Sequence, residues 1–242
     1  MVLYQLENPI RVITIYGAQG LVFAFFAYLA YQILKRDRKR LNLVFSGFYL
    51  SVVVGTLFNF IYGPIPNEQV VLILNYFTNF GAFYAPIFFV VFDLILLKSE
   101  KIITPAKQLM IFIGYGIYMF CMIFFVLTPG WGVELNASTN WAPVWKLPFF
   151  LYMFLGVTLF AILPLLYLSF QIYQKFEDEQ LKKKWRFFLF GVIAFIIFMY
   201  TIFFSNFLNN PTVRTLIGPI GIILALIGGY MMYTGVGRQL EK

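Results

Sequence analysis

The chain has 242 residues, 61% of them apolar and only 12% charged, with a formal net charge of +8. Soluble domains hold about 25% charged residues, so this composition excludes a soluble globular domain, a disordered chain and a disulfide scaffold. The absence of histidine removes His-ligated haem, the commonest zinc and copper sites and His-based nucleophilic catalysis. The single cysteine, Cys121, lies in an apolar run and reads as a buried small hydrophobe. No nucleophile–base pair, metal cluster or cofactor motif is legible, so neither an enzyme nor a cofactor is expected.

Crossing a bilayer takes about 20 apolar residues, and seven such stretches follow one another: 10–34, 41–63, 69–97, 107–128, 147–174, 184–208 and 213–236. Their apolar residues run continuously instead of alternating, which predicts helices over barrel strands. The expected fold class is an all-α, seven-transmembrane-helix bundle forming one domain over 1–242.

The first stretch is too long for a signal peptide and carries its positive charge after the apolar run, so it reads as a true helix. It places Gly17, Gly20, Ala24 and Ala27 on one face. The second carries Asn59. The third aligns Asn75, Asn79, Pro86 and Asp93 near one face. Asp93 is the only acid inside a span. Charge in hydrocarbon is costly, and Lys98 follows five residues on, so three readings stand: an ion pair or cap, a conformational lock, or proton or ion handling.

The interval after the fourth stretch holds Asn136-Ala137-Ser138, an N-glycosylation acceptor pattern. Trp131, Trp141 and Trp145 flank it and suit an interfacial belt. The fifth stretch contains Pro164. The sixth spaces Thr201, Ser205 and Asn209 four residues apart, with Asn206 at similar depth. The seventh carries Pro219 and a stripe of Gly218, Gly221, Ala225, Gly228 and Gly235. Small-residue stripes let helices approach closely in lipid, so both stripes are expected to seat helices, against one another or against a partner. The three prolines are expected as kinks or hinges.

Of the 18 Lys and Arg, all but Arg11, Lys146 and Arg214 fall on one side of these spans. The positive-inside rule then places the N-terminus outside and the C-terminus in the cytoplasm. Anionic lipid head groups, not nucleic acid, are the expected partners of the Lys35–Arg40 cluster. Asn59, Asn75, Asn79, Thr201, Ser205, Asn206 and Asn209 all lie toward the outer side, where they line an outward cavity or serve as interhelical hydrogen-bond glue. The segment 175–186, rich in both charge signs, reads as a docking surface for a cytoplasmic protein or as a solvated helix extension. No mid-membrane Lys exists to hold a retinal Schiff base.

Lys184-Trp185-Arg186-Phe187-Phe188-Leu189-Phe190-Gly191 at the sixth span, with Gly218-Pro219-Ile220-Gly221 and Gly228-Gly229-Tyr230 in the seventh, gives the chain a resemblance. It resembles the seven-helix sensor regions of prokaryotic histidine kinases and stand-alone archaeal membrane proteins of that kind. That resemblance implies a sensory, plasma-membrane protein. Kinases of that type continue into a catalytic region, whereas this sequence stops at Lys242, so the likeness implies signalling through a separate protein. Two other classes remain open: an accessory subunit of a larger membrane complex, as a homo- or hetero-oligomer, and a small-molecule or ion transporter.

Overall fold

The computed structural model describes residues 12–238 and is built almost wholly of helix. Seven helices are long and apolar enough to cross a membrane: α1 (Ile13–Arg36), α2 (Arg40–Tyr62), α3 (Glu68–Lys98), α4 (Pro105–Leu127), α5 (Leu147–Lys175), α6 (Glu179–Leu208) and α7 (Pro211–Gly237). The starts at 10 and the basic residues Arg11 and Lys242 lie outside the described residues. Elsewhere the expected spans match these helices within two residues, with one exception. Helix α6 begins at Glu179 instead of 184, because the Asp178 carboxylate accepts from Leu181 N at 2.8 Å and caps a charged first turn.

The other short turns are set by the same chemistry. Asn67 caps α3 through Val70 N, and Asn210 caps α7 through Thr212 N and Val213 N, with Pro211 at the first helical position. Asn209 ends α6 at φ 47°, in the left-handed region that asparagine tolerates. The turns at 37–39, 99–104 and 176–178 gather the Lys and Arg at one end of the bundle, here termed the basic end. The opposite end carries a two-stranded hairpin, β1 (Val133–Glu134) with β2 (Val144–Trp145), paired Val133 to Trp145 and Glu134 to Val144.

Helix α3 forms the centre. In its most apolar window 61% of residues are buried, against 17% for α4 at the periphery. Around α3 the core is aromatic: Phe48 and Phe89 stack at 4.1 Å, Phe45 meets Phe92 edge-on at 5.0 Å, and Phe188 and Phe195 close the cluster from α6. Two helix pairs touch backbone to backbone. A Cβ on Gly81 would lie 2.6 Å from Gly55 N, so α2 and α3 approach as closely as two helices can. A Cβ on Gly191 would lie 2.7 Å from Gly228 O, which locks α6 to α7 in the same way.

The two expected stripes behave differently. In α7, Gly221 faces Thr201, Ala225 is fully buried, Gly228 faces Gly191, and Gly235 sits against Lys184 O and Phe188. Gly218 has open space around it. In α1, Gly17 and Ala24 are exposed, Gly20 meets nothing within 4 Å and only Ala27 is partly covered along with it, so its glycines make no close helix contact. The α1 face that does pack is Val22, Phe26, Leu29 and Ile33, because large side chains fill the wider gap there.

Pro86 is buried in α3 among Phe48, Phe89 and Leu165. In the turn before it, Phe83 O accepts from the Tyr115 hydroxyl at 2.9 Å, which ties α3 to α4 beside the proline. Pro164 follows a π-helical stretch, Thr158–Ile162, whose wider turn absorbs the lost backbone donor. Pro219 lies on the exposed side of α7.

The hairpin end corrects one expectation. Trp131 is exposed as an interfacial residue should be, but Trp145 is 2% exposed and packs between Phe83, Phe149 and Phe203. Its strand pairing points the indole into the bundle, where it plugs the core instead of joining a belt.

The glycine contacts make a graded test. Gly81→Ala is expected to cost about 1–3 kcal/mol, the usual penalty for overpacking, read as a lower melting temperature in detergent. Gly20→Ala and Gly218→Ala, with open space at the Cβ, are expected to leave it unchanged or raise it.

Candidate functional site

Asp93 sits within the last two turns of α3 and has no exposed surface. Ser169 of α5, equally buried, donates its hydroxyl to Asp93 Oδ2. The indole Nε1 of Trp185, in the second turn of α6, donates to Ser169 O at 2.8 Å. Three helices therefore meet through one chain of hydrogen bonds, Trp185 to Ser169 to Asp93, at the basic end. Trp185 is further held by Phe188 at 4.8 Å and by Phe176 at 5.8 Å, the latter in the turn that joins α5 to α6.

Asp93 Oδ1 is buried and has no hydrogen-bond partner among the described residues. No ion pair to Asp93 is present among them either, so the expected pairing with a Lys or Arg of the basic end is not made. The physical reason is direction. Asp93 faces α5 and α6 inside the bundle, while Lys98 lies at the helix end, on the turn to α4. A buried carboxyl with one oxygen unanswered is a costly feature; Arg40 Nη2 and Trp145 Nε1 are the other buried polar atoms without a partner among the described residues. No cluster of three or more metal-ligating residues exists among the described residues.

The other polar residues singled out from sequence do not assemble into one cavity. Asn75, Asn79 and Asn59 are buried and bonded within the bundle. Asn79 Nδ2 donates to Asn75 Oδ1 at 2.9 Å, Asn75 Nδ2 to the Tyr62 hydroxyl at 3.2 Å, and Asn59 Nδ2 to Gln19 Oε1 of α1. This ladder ties α1, α2 and α3 together. The residues of α6 turn elsewhere: the Thr201 hydroxyl donates back to Phe198 O of its own helix and abuts Gly221 of α7, and Ser205 O accepts from Arg214 Nε at 3.2 Å. Asn206 is half-buried and Asn209 is exposed at the helix end. The residues therefore fall into separate groups, those of α2 and α3 joined by hydrogen bonds as interhelical glue and those of α6 apart from them.

Asn136 caps the short 3₁₀ turn Ala137–Thr139, its Oδ1 accepting from Ser138 N at 3.0 Å and from the Ser138 hydroxyl at 2.7 Å. Two arginines also act as ties. Arg214 reaches Pro143 O at 2.6 Å and so fastens the hairpin loop to α7. Arg36 donates to Gly237 O at 3.0 Å and to the Tyr233 hydroxyl, joining the ends of α1 and α7. Part of the Lys35–Arg40 cluster is therefore internal, not lipid-directed: Arg40 binds Gln108 Oε1 at 2.7 Å and Glu100 O at 3.3 Å. In the same turn, the Lys39 hydrogen bond holds the Asp37 carboxyl below its ordinary value.

No model of a known protein family matches the chain, and no curated protein sequence matches it.

The hydrogen-bond chain is testable by a double-mutant cycle. Ser169→Ala leaves Asp93 without its one partner and is expected to cost about 1–3 kcal/mol in unfolding measurements. In an Asp93→Leu background the same change is expected to cost under about 0.5 kcal/mol, a coupling that independent residues would not show.

Proposed function

We propose that the chain is an integral multi-pass protein of the plasma membrane, with the hairpin end outside and the basic end in the cytoplasm, and that it acts as a receptor-like transducer. In this reading it is no enzyme, and it passes its signal to a separate cytoplasmic protein. The asymmetry of Lys and Arg supports the orientation. The observation that carries the function is the Asp93–Ser169–Trp185 chain. Trp185 sits one turn inside the charged start of α6, so any change at Asp93 is felt where Glu179, Lys182, Lys183 and Lys184 face the cytoplasm.

A transducer needs an element with two arrangements that a signal biases. A buried carboxyl with an unsatisfied oxygen supplies one. Its neutral form suits the apolar site, while its charged form calls for water or a cation and so for separation of α5 from α6. The 176–178 turn that links these helices is short, and their movement passes directly into the docking segment 175–186.

A second reading has its own support. The face of α1 with exposed Gly17 and Ala24 and half-buried Gly20, together with the largely exposed α4, presents surface to a neighbouring subunit. This would make the chain an accessory subunit of a larger complex.

The orientation is tested by replacing Cys121 with serine and introducing single cysteines at Ser138 or Lys183. A membrane-impermeant maleimide is expected to label Ser138→Cys in intact cells and Lys183→Cys only after permeabilisation. The reverse pattern overturns the orientation. For function, native mass spectrometry of protein from its own membrane is expected to show a soluble partner that Lys183→Glu/Lys184→Glu releases. Retention by the variant of all bound chains, each itself membrane-embedded, favours the accessory-subunit reading.

A further inference from the structure

Between the second half of α5 and the first half of α6 runs an open apolar groove. Leu166 and Phe170 line one wall, Leu189 and Ile193 the other, and Tyr173 and Arg186 stand at its end nearest the 176–178 turn. The groove exists because α5 leaves its π-helical stretch and Pro164 in a course that brings Ser169 and Ile172 against the core, while Leu163, Tyr167 and Phe170 stay exposed. The two helices touch through Trp185 and Ser169 behind it and are not closed in front.

We infer that this groove is a binding site for one anionic phospholipid, with an acyl chain along Leu166, Phe170, Leu189 and Ile193 and the phosphate at Arg186. The inference rests on the membrane placement proposed above. Three observations carry it. First, Arg186 is exposed yet makes no hydrogen bond or ion pair with any described residue. Second, the helix from Phe187 to Leu208 spans about 33 Å at 1.5 Å per residue, close to the thickness of the hydrocarbon core. This places Arg186 at head-group level, directly above an apolar channel. Third, the local charge is left positive. Asp178 is engaged as the cap of α6, and Glu179 pairs with Lys182 at 3.5 Å. Lys182 also lies over the Tyr173 ring at 5.7 Å. With Lys175, Lys182, Lys183, Lys184 and Arg186 against Glu177, Asp178 and Glu179, the segment stays net positive, and a guanidinium matches phosphate oxygens with paired donors.

The test is lipid titration onto the detergent-purified full chain, read by native mass spectrometry. Dioleoyl phosphatidylglycerol is expected to bind once, and more tightly than dioleoyl phosphatidylcholine. Arg186→Gln, on an exposed side chain without partners, is expected to weaken phosphatidylglycerol about fivefold and leave phosphatidylcholine unchanged. Ile193→Trp, which fills the groove, is expected to weaken both. Lys107→Gln, on α4, is expected to change neither. Equal affinity for the two lipids, or unchanged phosphatidylglycerol binding in Arg186→Gln, overturns the site. These outcomes are separate from the maleimide labelling, so a failed lipid site and a failed orientation give different results.

Discussion

In hydrocarbon there is no water to answer a polar group, so each one must find its partner inside the protein. That constraint organises this bundle from the backbone outward. Seven helices satisfy their own amides, and the few polar side chains left over are bonded across helices. Asn59, Asn75 and Asn79 answer Gln19, Tyr62 and one another, and Arg36 and Arg214 bind helix-end carbonyls. Asp93 is only half answered, by Ser169 alone, and among the described residues it is the one acid with a buried atom left unpartnered, beside Arg40 Nη2 and Trp145 Nε1. A group so costly at the junction of three helices is where a small chemical change has the largest structural effect.

The tyrosines show the same constraint at work. Tyr84, Tyr115 and Tyr118 each donate a hydroxyl to a backbone carbonyl of a neighbouring helix, at 2.7, 2.9 and 2.8 Å, and Tyr152 returns the contact to Tyr118 O. Tyr49 reaches Gly229 O in α7 at 2.9 Å. These bonds stitch α3 to α4 and α4 to α5, where no glycine pair brings backbones together, and they join α2 to α7 across the core. The bundle thus uses two devices. Glycine pairs draw α2 to α3 and α6 to α7, and tyrosine hydroxyls bridge the wider gaps. The looser α5–α6 front is left as an open apolar groove.

The helices were legible in the sequence because apolar run length is a strong signal, and the caps Asn67, Thr104, Asp178 and Asn210 sharpen their starts. The exposed α1 stripe was not separable from the packed α7 stripe, since small residues at helical spacing look alike whether they face protein or lipid. The glycines of the closest contact, Gly55 and Gly81, carried a readable sign: Gly47, Ser51 and Gly55 recur every four residues along α2. Asp93 was visible as the lone intramembrane acid, but its partners were not. Ser169 and Trp185 are distant in sequence and unremarked in composition, and only the packing of α5 and α6 on α3 brings them together. Trp145 was misread as interfacial because an indole at a span edge suits either side, and the strand pairing alone decides it.

Through Ser169 and Trp185, Asp93 is linked to the start of α6 at the basic end. The most direct measurement is amide hydrogen exchange on the wild type and Asp93→Asn in lipid nanodiscs. Asparagine keeps an acceptor for Ser169 and removes the titratable charge. Coupling requires that exchange change in 176–186 while the hairpin Val133–Trp145 stays as in the wild type. Identical exchange in 176–186, in a variant that melts like the wild type, would contradict it.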